Sequence, residues 1–303
     1  MTRPDRDEIS RRFRAGLVLD GGLATELERR GHDLRDPLWS ARVLLEEPEA
    51  VSAVHRDYLE AGAECLSSAS YQATVPALER RGLSHQRAAD LIQSSVRLAR
   101  AVADEKPTCL VAASLGPYGA YLADGSEFCG DYRVSDEELR DFHSERLDLL
   151  IEAEPDVLAC ETVPALREAE ILARLTESRG FPAWISFSCR DRERTCHGEP
   201  IEECARLLDA VSSVVAVGVN CTAPEFIADL TARIASATTK PIVVYPNGGQ
   251  TWDAVTRSWQ GSADVDRFVE LARGWRSAGA ASIGGCCQTT PEHIRRWAKA
   301  RNE

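Results

Sequence analysis

The residues best suited to chemistry stand near the end of the chain, where the apolar run Ala281-Ser282-Ile283 breaks on Gly284-Gly285 into Cys286-Cys287-Gln288. Thiolates bind soft metal ions and attack electrophilic carbon. On a regular strand neighbouring side chains point to opposite faces, so Cys286 and Cys287 can serve one site only if the backbone leaves strand geometry there. The two glycines before them permit that departure, because glycine tolerates dihedrals closed to other residues. Alone, the pair fits buried, inert sulfur equally well, since unpaired cysteine is common in protein cores. The elements that position the pair decide between these readings.

With 303 residues, 44% of them hydrophobic, the chain can bury a large core, as one big α/β domain or as two ordinary ones. The formal charge of −12 and the lack of a basic stripe argue against a nucleic-acid partner and suit small neutral or cationic ligands. No apolar run reaches the roughly 18 residues of a membrane span, and the charged segment from Met1 to Arg14 has no hydrophobic signal core. The expected location is therefore the cytoplasm, with no membrane partner. Ten cysteines are too dilute for a disulfide scaffold, and reduced thiols are available for metal binding or catalysis.

Stepping along the chain, short apolar runs alternate with amphipathic stretches. Strands are expected over residues 16–19, 64–70, 109–115, 156–162, 182–189, 214–221, 241–245 and 281–285. Helices are expected between them, over about 47–62, 86–104, 135–153, 165–178, 200–211, 224–236 and 263–277, with a last one opened by Thr290-Pro291. Eight strand-helix units without a linker predict α/β architecture, a single (β/α)8 TIM barrel over residues 1–303 with residues 1–14 as an N-terminal arm. That arm is expected either to lie as a lid over the barrel bottom or to be disordered. A doubly wound sheet is the competing fold, but Asp20-Gly21-Gly22-Leu23-Ala24-Thr25 lacks the dinucleotide fingerprint.

Barrel enzymes place chemistry where strands meet the following loops. That rim collects Asp20, Ser70-Tyr71, Glu161, Asn220-Cys221, Asn247 and Cys286-Cys287. Only one strand separates Cys221 from the cysteine pair, so three thiolates can converge. Three sulfur ligands with an open fourth position point to a catalytic Zn2+ site, one ion per chain, held by Cys221, Cys286 and Cys287.

Asp20-Gly21-Gly22 with Thr25, Leu38-Trp39-Ser40-Ala41, His55 with Tyr58 and Ala61-Gly62-Ala63, Ser70-Tyr71-Gln72, Glu161-Thr162, Gly218-Val219-Asn220-Cys221 and Gly284-Gly285-Cys286-Cys287 together resemble the homocysteine S-methyltransferase family. The resemblance spans nearly the whole chain. It implies a zinc-binding barrel that methylates L-homocysteine to methionine, with homocysteine thiolate as fourth ligand and a cationic sulfonium, S-methylmethionine or S-adenosylmethionine, as methyl donor. It also implies that Asp20 and Glu161 hold the homocysteine ammonium, that amides near Gly21 and Gly22 meet its carboxylate, and that Tyr71 stands near the fourth ligand position. Asn220 is expected to orient the ligand or nearby backbone. Betaine or another onium is the alternative donor.

Other readings stay open on the sequence. The stretch from Cys189 to Gly198, with Cys196 and His197, could hold a second metal, although it has no compact CxxC pair. The aromatic residues Tyr118, Tyr121, Phe128 and Tyr132, with Trp39 and Trp252, could face a cationic donor or simply pack the loop. His55 reads as a packed or surface histidine. A zinc hydrolase on the same barrel is the rival enzyme class, yet such sites usually recruit histidines, and no His-x-His follows the first strand.

Overall fold

Strands form where β-branched and small apolar residues run without interruption. A parallel sheet covered on both faces selects such runs. The computed structural model describes residues 3–34, 40–249, 251–253, 258–260 and 263–301. Its strands are β1 Cys65–Ser67, β2 Leu110–Leu115, β3 Val157–Val163, β4 Ala183–Phe187, β5 Val214–Asn220, β6 Ile242–Tyr245, β7 Thr251–Asp253, β8 Ser258–Gln260 and β9 Ala280–Ile283. Every residue of β2, β3 and β5 is buried, as the continuous apolar runs require.

Seven strands form one sheet in the order β1-β2-β3-β4-β5-β6-β9, each pair parallel. The eighth stave is short. Val18 bridges in parallel to Ile283 on β9, and Leu19 bridges to Cys65 on β1, so the ring closes through two residues. The expected α/β barrel is thus present. β7 and β8 pair antiparallel as an outlying hairpin between β6 and β9, an element the periodicity had not shown.

The helices end where local chemistry dictates. Ser135 and Glu138 form a reciprocal capping box at the start of helix Asp136–Glu152. Gly180, with φ of +62°, ends helix Leu166–Arg179. The single helix expected over 224–236 is instead a 3-10 turn, Pro224–Phe226, followed by helix Ile227–Ala235; the Pro224 carbonyl accepts from the Trp275 indole at 3.2 Å. None of the described helices is long and apolar enough to cross a membrane.

The N-terminal arm forms a helix over Arg6–Ala15. Helix Arg6–Ala15 is capped by Asp5 and drives Ile9 and Phe13, both fully buried, into the barrel interior. Phe13 meets Trp184 edge-on, with ring centroids 5.4 Å apart. Burying a side chain of this size contributes about 1.5–3 kcal/mol. This helix closes the end of the barrel opposite the functional rim.

Candidate active site

Each functional cysteine occupies a place where the backbone turns sharply. β5 ends at Asn220, and the next residue, Cys221, has φ of +47°, a left-handed conformation that costs a non-glycine residue about 1–2 kcal/mol. Gln288, just after the cysteine pair, has φ of +65°. Gly284 and Gly285 do not adopt positive φ, so glycine's wider choice of dihedrals, expected to matter here, is not why they are needed. Close approach explains them instead. A Cβ on Gly284 would lie 2.6 Å from the Asp20 carbonyl oxygen, and one on Gly285 would lie 2.3 Å from Thr289 Oγ1.

A dense set of backbone bonds holds the turn. The Cys286 amide donates to the Pro246 carbonyl at 2.7 Å, the Gly248 amide to the Cys287 carbonyl at 2.8 Å, and the Gln288 amide to Thr25 Oγ1 at 2.8 Å. Thr289 Oγ1 donates to the Cys286 carbonyl at 2.6 Å. So anchored, the sulfurs of Cys221, Cys286 and Cys287 lie within 4.8 Å of one another, with Cys221 and Cys287 3.9 Å apart. Sulfurs bound tetrahedrally at the Zn–S length of about 2.3 Å would be ~3.8 Å apart, so the donor set fits such an ion. Cys287 accepts from both neighbouring thiols and is held well below its ordinary pKa, while Cys221 and Cys286 are pushed up.

Two carboxylates share the rim. Asp20 follows the short first stave and accepts from the Ser67 amide at 2.6 Å and Ser67 Oγ at 3.1 Å. Burial pushes it up to about 7 despite these bonds, and the charge of Glu161 adds to the rise. Glu161, near the end of β3, accepts from Ser114 Oγ and from Tyr245; burial again pushes it up to about 7. Among the described residues neither forms an ion pair, although the charge of Arg146 opposes part of the rise at Glu161.

The family model for homocysteine S-methyltransferase matches residues 17–301. The chain belongs to the homocysteine S-methyltransferase family. It is 47% identical over 300 residues to homocysteine S-methyltransferase YbgG of Bacillus subtilis (strain 168), covering 94% of this chain and 95% of that one. It is 48% identical over 305 residues to homocysteine S-methyltransferase 4 of Zea mays, covering 94% and 89%. The metallated form of the homocysteine methyltransferase MmuM from Escherichia coli superposes with a TM-score of 0.84 at 44% identity, covering 94% of this chain and 96% of that one. The protein is a methyltransferase acting on homocysteine, a small-molecule substrate, and its three-cysteine cluster can bind a metal ion.

Within this homocysteine S-methyltransferase the other expected residues take definite places. Asn220 is fully buried and bonds Thr162 and Ser186, all within the protein. Tyr71 is half-buried; its phenol is raised by burial, then by the charge of Cys221, and it bonds Thr162. Gly21 lies against Tyr58, where a Cβ would be 2.8 Å from the ring. Gly22 caps the short helix Leu23–Arg29, and its amide donates to Thr289 Oγ1 at 3.1 Å. The Gly22 amide, expected to meet the substrate carboxylate, is thus engaged within the fold. Asn247 Oδ1 is buried without a partner.

Other sequence candidates stay outside the cluster. Cys189 is buried and pairs by its backbone with Thr195, and His197 Nδ1 meets Glu199 at 2.8 Å. Among the described residues they form no ligand group. Tyr118 packs edge-on against Phe142 at 4.9 Å and tilted against Tyr121 and Tyr132, so these rings pack the loop. Trp39 and the Trp252 side chain lie outside the described residues. Ser67, Ser114, Tyr245 and Thr289 were missed. The first three lie at strand ends on the functional rim, which was signal enough to find them. Arg146 gave no signal; it is buried and donates to the carbonyls of Gly116, Ser70 and Tyr71, fixing the ends of β1 and β2.

Proposed function

We propose that this homocysteine S-methyltransferase takes its methyl group from a sulfonium, S-methylmethionine or S-adenosylmethionine, and works with one zinc ion held by Cys221, Cys286 and Cys287. The observation that carries the proposal is three sulfurs within 4.8 Å of one another on a rim that also bears two carboxylates without ion-pair partners among the described residues. A zinc ion bound there supplies Lewis acidity that keeps a thiol ionised at neutral pH and leaves one position open.

The chain's own residues do the rest. Asp20 and Glu161 receive the homocysteine ammonium, which compensates two buried charges at once. Ser67 and Ser114 hold those carboxylates in place. The anionic rim attracts a cationic donor and stabilises it up to the point of transfer. In an in-line displacement the homocysteine sulfur forms the new S–CH3 bond as the donor's S–CH3 bond breaks. Sulfonium and thiolate charges cancel, giving methionine and a neutral thioether, and no general base is needed. A hydrolase reading has no histidine at the cluster to support it.

Metal analysis tests one half: about one zinc per chain is expected, lost in Cys286→Ser. Full activity in zinc-free protein would overturn it. Incubation with homocysteine and each donor tests the other half, and methionine formed from betaine alone would overturn the sulfonium assignment.

A further inference from the structure

The loop between β2 and helix Asp136–Glu152 carries a carboxylate that the reaction described above leaves unused. The chain there turns through the short helix Tyr118–Leu122 and the 3-10 turn Ser126–Phe128, and that turn rests on β3, the strand bearing Glu161. The packing is tight, since a Cβ on Gly119 would lie 2.3 Å from the Glu127 nitrogen. Glu127 is therefore fixed in place. Its Oε2 is buried and has no hydrogen-bond donor among the described residues.

Glu127 is close enough to Tyr71 for its charge to raise that phenol, after the larger effects of burial and of Cys221. The loop that carries it follows the end of β2, so it lies on the same side of the barrel as the sulfurs. A second acceptor borders the same loop: Gln72 Nε2 donates to the Ala120 carbonyl at 3.0 Å, while Gln72 Oε1 is buried with no donor. Buried acceptors without partners are rare in native proteins. Here two flank one loop, and both can accept from N–H or O–H donors.

We infer that Glu127, with the Gln72 carbonyl oxygen, receives the α-ammonium group of the methyl donor. The inference rests on the sulfonium reading above. Asp20 and Glu161 serve the ammonium of homocysteine, and Glu127 serves that of the donor, so each amino-acid substrate has its own carboxylate. An ammonium offers three N–H donors to these acceptors. A quaternary ammonium such as betaine offers none and would leave both acceptors unpaired.

The test compares S-methylmethionine with its des-amino analogue, 4-(dimethylsulfonio)butanoate, in wild type, Glu127→Gln and Glu127→Asp. Glu127→Gln is expected to lower kcat/KM for S-methylmethionine roughly 10- to 100-fold, through the donor KM. The analogue should react equally with both proteins, homocysteine KM and metal content should not move, and Glu127→Asp should recover part of the loss. Equal losses on both donors, or a change confined to homocysteine KM, would overturn this inference and leave the sulfonium reading intact. Wild type that uses neither of these sulfoniums nor S-adenosylmethionine would overturn the sulfonium reading and this inference with it.

Discussion

Asn220 grips Thr162 from both sides: its Oδ1 accepts the Thr162 amide at 2.7 Å, and its Nδ2 donates to Thr162 Oγ1 at 2.7 Å. Thr162 has φ of +59°, which a β-branched residue adopts only under constraint, and it directly follows Glu161. The clamp therefore sets the direction in which β3 delivers its carboxylate. Asn220→Ala is expected to destabilise the protein by about 2 kcal/mol or more, seen in denaturant unfolding, and to raise homocysteine KM. An unchanged KM in a folded variant would show that the clamp does not aim Glu161.

Gly285 faces Thr289 so closely that any side chain must push the cysteine turn away. Gly285→Val is expected to reduce bound metal severalfold while the circular dichroism spectrum stays native, because the collision is local to the rim. Full metal content in this variant would refute the close-approach explanation.

Asp20, raised to about 7 by burial, is largely protonated below that pH and cannot then neutralise an ammonium. Homocysteine KM should rise as pH falls from 7 to 6, and Asp20→Asn should raise KM and flatten that dependence. The same shift has a stability consequence. Between about 3.8 and 7 the folded chain holds a proton that the unfolded chain has released, so this group's contribution to stability declines as pH rises through that window. Denaturation of ligand-free Asp20→Asn against wild type across this range checks the sign.

His55, on helix Pro48–Glu60, is fully buried, and neither ring nitrogen has a partner; burial lowers it to about 4. Here the unfolded chain binds the extra proton between about 4 and 6.5, so stability should fall as pH drops through that window. The difference between wild type and His55→Leu should change by about 3 kcal/mol over it. Parallel stability profiles for the two proteins would place the acid sensitivity elsewhere.

The barrel was legible because strand-helix alternation is a local property of the sequence. Eight apolar runs marked the staves to within a few residues, and the strand-end rule put Asp20, Glu161, Cys221, Cys286 and Cys287 on one rim. The reason for the glycines was not legible, since Gly285 answers to Thr289 and Gly284 to Asp20, contacts that exist only after the turn has folded. The role of Asn220 was hidden likewise, because its partners, Thr162 and Ser186, come from two other strands. Arg146 is the extreme case. A buried arginine that serves three carbonyls looks in sequence like any other charge on an amphipathic helix.

Phe13 at the bottom of the barrel touches Trp184, whose indole donates to Tyr245 at 2.9 Å, and Tyr245 reaches Glu161. The match to the family model begins at residue 17, two residues beyond the end of the helix that contributes Phe13. Two boundaries thus compete for this protein, one drawn by kinship and one by packing. A truncation that follows kinship would remove the foundation of a column whose top is a carboxylate on the rim that bears the cysteines.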